Sequence, residues 1–576
     1  MFIKGGRGVS VYRSTLLGIA VVLAIGLGGG ALGATTNAVG KPLPPDAAPP
    51  DQQVLTGLTQ PATTLDFFVS VYKRPQNIDG NSWSDDLSTP LVRLDKNFAL
   101  IPAAATSWDV SSDGQTWTFH LDKTQVWSDG TPVTADDFVA TFRLGADPKV
   151  AWDFAWFFSA IKGWDDAVRG AIPVDQIGVR RGEDPYTLIV TTKAPAPYLP
   201  GMMLYSPPLN ARALAKYGPF YNTDPKTSVS SGPYVLQEWT KDQQIVLVAN
   251  PTYRGVKPYI QKVVLKFADL QTEFLAYLAN EVDVAANFSP ADLEMIEKTA
   301  GLRAQYHQGF GDFRTYYLGF DTMNPPFNNL KVRQAFSHAI DREGLVQAVI
   351  KRQGIAAYGF LMPGFPGSHQ DDLKSIQAYD PTKAKQLLAE AGYPAGQGFP
   401  KLELWLRGER ALGQAVGNAI AAMLSQNLGI QVDVPNKETK LFMDTLNSHK
   451  LQFYMVSYGM DYLDPSNMLG IWVSGGRHAW KNDTFDRLVG TASSMVGSPE
   501  RRMAMFHDAE KTLVSDVGFI PIYFVTPGFM WKPYLQGDAL TPDKIGVAAW
   551  HWPGWDGLST LHQSVYVTQD VSKYRR

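Results

Sequence analysis

The segment Val456-Ser-Tyr-Gly-Met-Asp-Tyr-Leu-Asp-Pro465 gathers the residue types best suited to gripping a charged small molecule. It continues an apolar run, Leu451 to Val456, that reads as a buried strand, so Asp461 is expected just past a strand end and partly withdrawn from water. A carboxylate in that position suits a primary ammonium group, because charge-assisted hydrogen bonds strengthen as solvent is excluded. Tyr458, Met460 and Tyr462 flank it with adaptable apolar surface and two flat rings. The same acid can simply cap backbone in its own turn, and Asp464-Pro465 reads as such a turn. Further aromatic candidates for a ligand cleft are Trp83, Trp152, Trp156 and Trp472, each of which equally suits a core.

Catalytic chemistry has no comparable pattern. The nine histidines are scattered, with neither a His-Glu-x-x-His run nor a pair at metal-ligand spacing, so no metal site is expected. Zero cysteines exclude disulfides, thiolate catalysis, Cys-ligated zinc and a lipid anchor on an N-terminal cysteine. The carboxylate neighbours Asp85-Asp86, Asp136-Asp137 and Asp165-Asp166 read as helix starts or solvated faces. The Gly26-Leu-Gly28 run lies in a leader, and there is neither a Walker A pattern nor a Gly-x-Ser-x-Gly elbow. No catalytic residue, cofactor or enzyme activity is therefore expected.

The elements that must carry the candidate site alternate between strand and helix from residue 55 on, which favours an α/β fold. Trp117, Phe119 and Leu121 fall on one face of a strand with Thr118 and His120 on the other. Thr134, three residues before Asp137, predicts a capped helix presenting Phe138, Val139 and Phe142. Ser289-Pro290 opens a helix running through Leu293 and Ile296 to Gly301, and Asp380-Pro381 opens another that stops at Gly392. Asn328 or Asn329 caps a third, with Val332, Phe336, Ala339, Ile340, Val346 and Val349 as one stripe. Met503, Phe506 and Leu513 mark a helix feeding a buried strand, Ile520–Val525.

At 576 residues the chain exceeds one core and should divide. A net charge of −3 without a dense basic run argues against nucleic acid as a partner. Lys4, Arg7 and Arg13 precede the apolar stretch Leu16–Leu27 and small residues near Ala31–Ala34, the pattern of an export signal over residues 1–34. Its removal takes away three positive charges and leaves a net charge of about −6. An uncleaved anchor is the alternative, although the run is Gly-rich and short for a span. Residues 35–54 read as a Pro-rich linker, and an exported, monomeric protein, periplasmic or otherwise extracytoplasmic, is expected.

Four independent segments resemble the family 5 bacterial extracellular solute-binding proteins, the receptors of ABC importers. Trp108–Leu121 with Trp127–Phe138 resembles the family's most recognisable stretch. Ser231-Gly-Pro-Tyr234 with Asn250-Pro-Thr-Tyr253 is similar to its "GPY … NPxY" strand pair. Pro325-Pro-Phe327, Lys331–Phe336 and Ala339-Ile-Asp-Arg342 resemble "PPFxDxRVRQAxxxAIDR", and Asp380–Tyr393 resembles a further shared helix. The 456–465 segment itself resembles "GWxADYxDPxxFL".

The resemblance implies a type II periplasmic-binding fold of the large cluster, with two hinged α/β lobes around a ligand cleft. Residues 55–84, 201–311 and 526–576 would form lobe I, 85–200 a subdomain inserted into it, and 312–525 lobe II, with crossings near Gly309–Phe313 and Pro521–Thr526. It implies oligopeptide capture and delivery to a membrane permease driven by cytoplasmic ATPases, with Asp461 receiving the ligand's α-amino group. Departures are Tyr458 for the family's Trp, Met460 for its Ala, and Asp321 for its usual Asn, a charge expected near the hinge. Arg407, Arg410 and Arg477 are candidates by chain order for the ligand carboxylate. An oligosaccharide receptor of the same fold is the alternative, and a secreted hydrolase or an empty-cleft adhesin or chaperone are more distant ones.

Overall fold

The computed structural model describes residues 35–71, 73–75, 83–286, 288–309, 313–409, 411–542 and 563–571. The expected export signal lies outside them. No helix among the described residues is long and apolar enough to cross a membrane.

Period-2 burial organises the first half of the chain. Thr116–Leu121 buries Trp117, Phe119 and Leu121 and leaves the intervening residues half-buried, as the alternation predicts. It pairs with Ala105–Val110 and Thr187–Thr191, and Val179–Arg181 completes an antiparallel four-stranded sheet. The helix Ala135–Gly145 presses Phe138 and Phe142 into the same core. Its Asp137 carboxylate accepts the Thr134 backbone N–H at 2.8 Å, the Trp127 indole N–H at 3.2 Å and the Ala211 N–H at 2.9 Å, so the cap also fastens neighbouring segments. Phe67, Phe68, Leu204 and Tyr205 enter this core from outside 85–200.

A second set of sheets is built from the chain's flanks. Val54–Thr59 runs parallel to Lys262–Phe267, which continues antiparallel into Gln244–Ala249 and Tyr234–Thr240. Gly528–Trp531 lies between Val284–Ala285 and Tyr306–Gln308. The Pro-rich residues 35–53 are docked against this unit. Val39, Leu43 and Ala48 are buried, Asn37 Nδ2 donates to Pro258 O (2.9 Å), and Gln53 Nε2 donates to Val567 O (2.9 Å).

The third unit is a six-stranded mixed sheet in the order Gly354–Ala356, Phe519–Val525, Thr315–Phe320, Phe453–Tyr458, Trp405–Arg407, Asn436–Lys437. Helices Leu330–His338, Pro381–Glu390 and Ala411–Leu428 cover one face; the core on the other includes residues of Pro499–Ser515. Two expected helices are shorter than their apolar stripes. The first ends at His338 because Asp341 caps a new turn, accepting the Gly344 N–H at 2.9 Å, and Arg342 is drawn inward to donate to Pro521 O and Gln377 O. The second, capped by Ser289, stops at Lys298 where Thr299 leaves helical geometry (φ −109°, ψ 104°), and a separate turn follows.

Two chain segments pass between the second and third units, and they run side by side. Tyr306–Gln308 pairs with Gly528–Met530 in one sheet, and Thr315–Phe320 pairs with Phe519–Phe524 in the other. Between them Gly309 N–H donates to Pro527 O (2.8 Å), Val525 N–H to Arg314 O (2.9 Å) and Gln308 Nε2 to Thr526 Oγ1 (2.7 Å).

Candidate ligand-binding site

Strand Phe453–Tyr458 is interior to the six-stranded sheet, and every residue up to Ser457 is buried. Its last residue, Tyr458, pairs with Thr315, and Thr315 pairs in turn with Phe524. The turn that follows therefore emerges beside both segments joining the units. Asp461 is half-buried there. Its Oδ2 accepts from the Tyr458 hydroxyl and from Asn467 Nδ2 at 3.0 Å, while its own N–H donates to Asn467 Oδ1 at 2.8 Å. Burial and the neighbouring Asp461 charge raise the Tyr458 phenol well above its ordinary value, so it stays a neutral donor to that carboxylate. Arg477 lies 5.1 Å from the Tyr458 ring centroid, in cation–π contact. Arg314 Nη1 reaches Ser457 Oγ at 3.1 Å, so two guanidinium groups stand close to this strand end.

Three residues on, the chemistry changes. Asp464 is buried and caps the helix Pro465–Gly470, accepting from Ser466 N–H (2.9 Å) and Ser466 Oγ (2.7 Å). Arg502, from the helix Pro499–Ser515, grips both its oxygens at 2.6 and 2.7 Å. Between the two acids, Tyr462 reaches across to the core built around Thr116–Leu121. It stacks on Tyr198 (centroids 5.3 Å, 20°) and meets Phe157 edge-on at 6.2 Å.

The other named residues scatter. Met460 is buried in the core beneath the turn. Trp472 is fully buried, stacked on His478 at 3.9 Å, and that imidazole bridges the Tyr317 (3.0 Å) and Tyr454 (2.8 Å) hydroxyls. It offers a ligand no surface. Trp152 is likewise buried, stacked on Phe68 at 4.8 Å. Trp156 is 55% exposed and packs against Phe157, the ring that meets Tyr462. The side chain of Trp83 and all of Arg410 lie outside the described residues, and Arg407 ends a strand beside Lys437. Asp321 is not at the crossing. It follows the far end of Thr315–Phe320, about 20 Å along the strand, where it accepts from Met323 N–H and Asn324 Nδ2.

Residues 99–480 match the model of the bacterial extracellular solute-binding proteins, family 5 (middle region). The chain belongs to that family. The periplasmic oligopeptide-binding protein OppA of Escherichia coli is 30% identical over 478 residues, covering 80% of this chain and 87% of the relative. The solved murein tripeptide-binding protein MppA in its unliganded open form superposes with a TM-score of 0.75 at 27% identity, over 90% of this chain and 98% of that one. A second MppA structure, from Escherichia coli, gives 0.64 at 27% identity over 89% and 98%. As a family 5 solute-binding protein the chain has the two-lobe α/β fold, in a family of carriers and not of enzymes.

Asn467, Arg502 and Tyr198 escaped the sequence reading. Asn467 had a local signal, since a carboxamide six residues after Asp461 lies within one turn and one helical start. The other two come from distant segments and carry no periodic mark.

Proposed function

We propose that this protein captures oligopeptides in the cleft beside the 458–467 turn and delivers them to an ABC permease driven by cytoplasmic ATPases. It would be exported by its N-terminal signal, act in the periplasm or an equivalent compartment, and work as a monomer without cofactor. The single observation that carries the reading is the position of Asp461, past the end of an interior strand and next to both segments that join the units. A peptide ammonium held there stays within reach of groups on either side of the crossing. The relatives named for oligopeptide and murein tripeptide binding support that ligand class.

On this reading 55–84, 201–311 and 526–576 form lobe I, 85–200 its inserted subdomain and 312–525 lobe II, with 309–313 and 521–526 as the hinge. The TM-score of 0.75 to an open, unliganded relative supports an open arrangement here. Ligand would shift the population towards closure by bonding both lobes. Tyr458, Asp461 and Tyr462 would line the site, with Trp156 on the opposite wall. Backbone pairing of the peptide as an added strand would make the capture tolerant of sequence.

Mass spectrometry of small molecules released on denaturing freshly purified protein tests this. A ladder of mixed peptides in a narrow length range is the expected result. A single sugar would move the function to the oligosaccharide reading, for which the exposed Trp156 supplies a stacking platform.

A further inference from the structure

We propose that lobe II carries a divalent-metal site, suited to Zn²⁺, formed by His369, Asp372 and His507. His369 and Asp372 belong to one short segment, the residue before and a residue within the turn Gln370–Leu373, whereas His507 projects from the middle of the helix Pro499–Ser515. Their candidate ligand atoms lie within 4.8 Å of one another. Both imidazoles face the same carboxylate oxygen: Asp372 Oδ2 is 3.9 Å from His369 Nδ1 and 3.6 Å from His507 Nε2. Tetrahedral zinc with bonds near 2.1 Å spaces its ligand atoms about 3.4 Å apart. Small side-chain rotations close the difference, and the side chains of His369 (49% exposed) and Asp372 (64% exposed) have room to make them.

The chemistry of the set agrees with its geometry. Two imidazoles, which are borderline ligands, and one harder carboxylate form a set that zinc accepts, and three protein ligands leave a fourth position for water. The imidazole centroids are 4.3 Å apart, close enough for both rings to serve one shared cation. His507 Nδ1 is buried without a hydrogen-bond partner, which leaves Nε2 as the nitrogen turned to Asp372.

A bound metal would fasten the segment after Tyr358 to the long helix. Gln370 already bonds Tyr358 N–H and Leu361 O there, and Glu510 of that helix accepts from Phe360 and Leu361 N–H.

The test is zinc titration of the tag-free, metal-stripped full chain by calorimetry, with Co²⁺ absorption as a second readout. The wild type should bind one zinc more than the double variant H369A/H507A, show the intense visible bands of tetrahedral cobalt, and melt at a higher temperature as zinc is added. His369→Ala alone, at an exposed position where folding is not at stake, should weaken zinc binding by at least about tenfold. A wild type that binds no zinc up to about 100 μM, or a double variant with unchanged stoichiometry and affinity, overturns the proposal.

Discussion

The turn 458–467 has two ends that use the same side chain for opposite purposes. At the far end Asp464 is buried, caps a helix and is clasped by Arg502 from a helix much later in the chain. At the near end Asp461 is half-buried, and the bonds described for it come from within six residues. One acid knits distant elements together, and the bonds described for the other come from its own turn. Asp464 should therefore matter to whether lobe II folds, and Asp461 to what the folded lobe holds.

The largest effect expected is at the buried end. Asp464→Ala leaves the Arg502 guanidinium buried without its partner and should cost about 3–5 kcal/mol of stability in denaturant unfolding. A loss below 1 kcal/mol would erase the contrast. Asp461→Ala should instead weaken peptide binding by about 2–5 kcal/mol in calorimetry, with the melting temperature nearly unchanged. If affinity is unaltered, Asp461 is not in the site.

A pH profile separates the two ends further. Glu510, on the Arg502 helix, is buried, and its carboxyl is pushed up to about 7 by desolvation despite two backbone donors. The folded state then holds a proton that the unfolded state has released above its ordinary value of 4.5. Stability should be fully present below that value and fall by about 3 kcal/mol as pH rises through the window to about 7. Glu510→Gln should flatten that part of the slope, leaving the contribution of Asp66, which shifts the same way to about 7. An unchanged profile would remove Glu510 from the account. The smallest effect is at the bridge between the ends. Tyr198→Ala removes the stack on Tyr462 and should cost about 0.5–1.5 kcal/mol of contact between the two segments, read as a small loss of stability in denaturant unfolding.

Local rules made much of the fold legible. Alternation found the strand at 116–121, and capping chemistry found the helices at Thr134, Ser289, Asn329 and Asp380. Those rules failed where a distant partner intervened. The stripe through Val349 read as one helix, but Asp341 recaps the chain so that Arg342 can reach Pro521 O. Asp461 could be placed because its position follows from a strand end. Trp472 could not be assigned, since an indole looks the same in a sequence whether it faces a ligand or stacks on His478. The cluster of His369, Asp372 and His507 was invisible for a related reason: one of its members comes from a far segment that only the packed lobe brings near.

The paired crossing segments have a mechanical consequence. The described parts of the two crossings are bonded edge to edge, Tyr306–Gln308 to Gly528–Met530 and Thr315–Gly319 to Phe519–Phe524, and so act as a strap. A strap yields to bending across its thin direction and resists shear in its own plane, because in-plane sliding would have to break ladder hydrogen bonds together. On the proposed reading, lobe II would be confined to swing along one arc. The sideways and twisting paths that a pair of separated strings would permit would be closed to it, and each closure would return Asp461 to the same place.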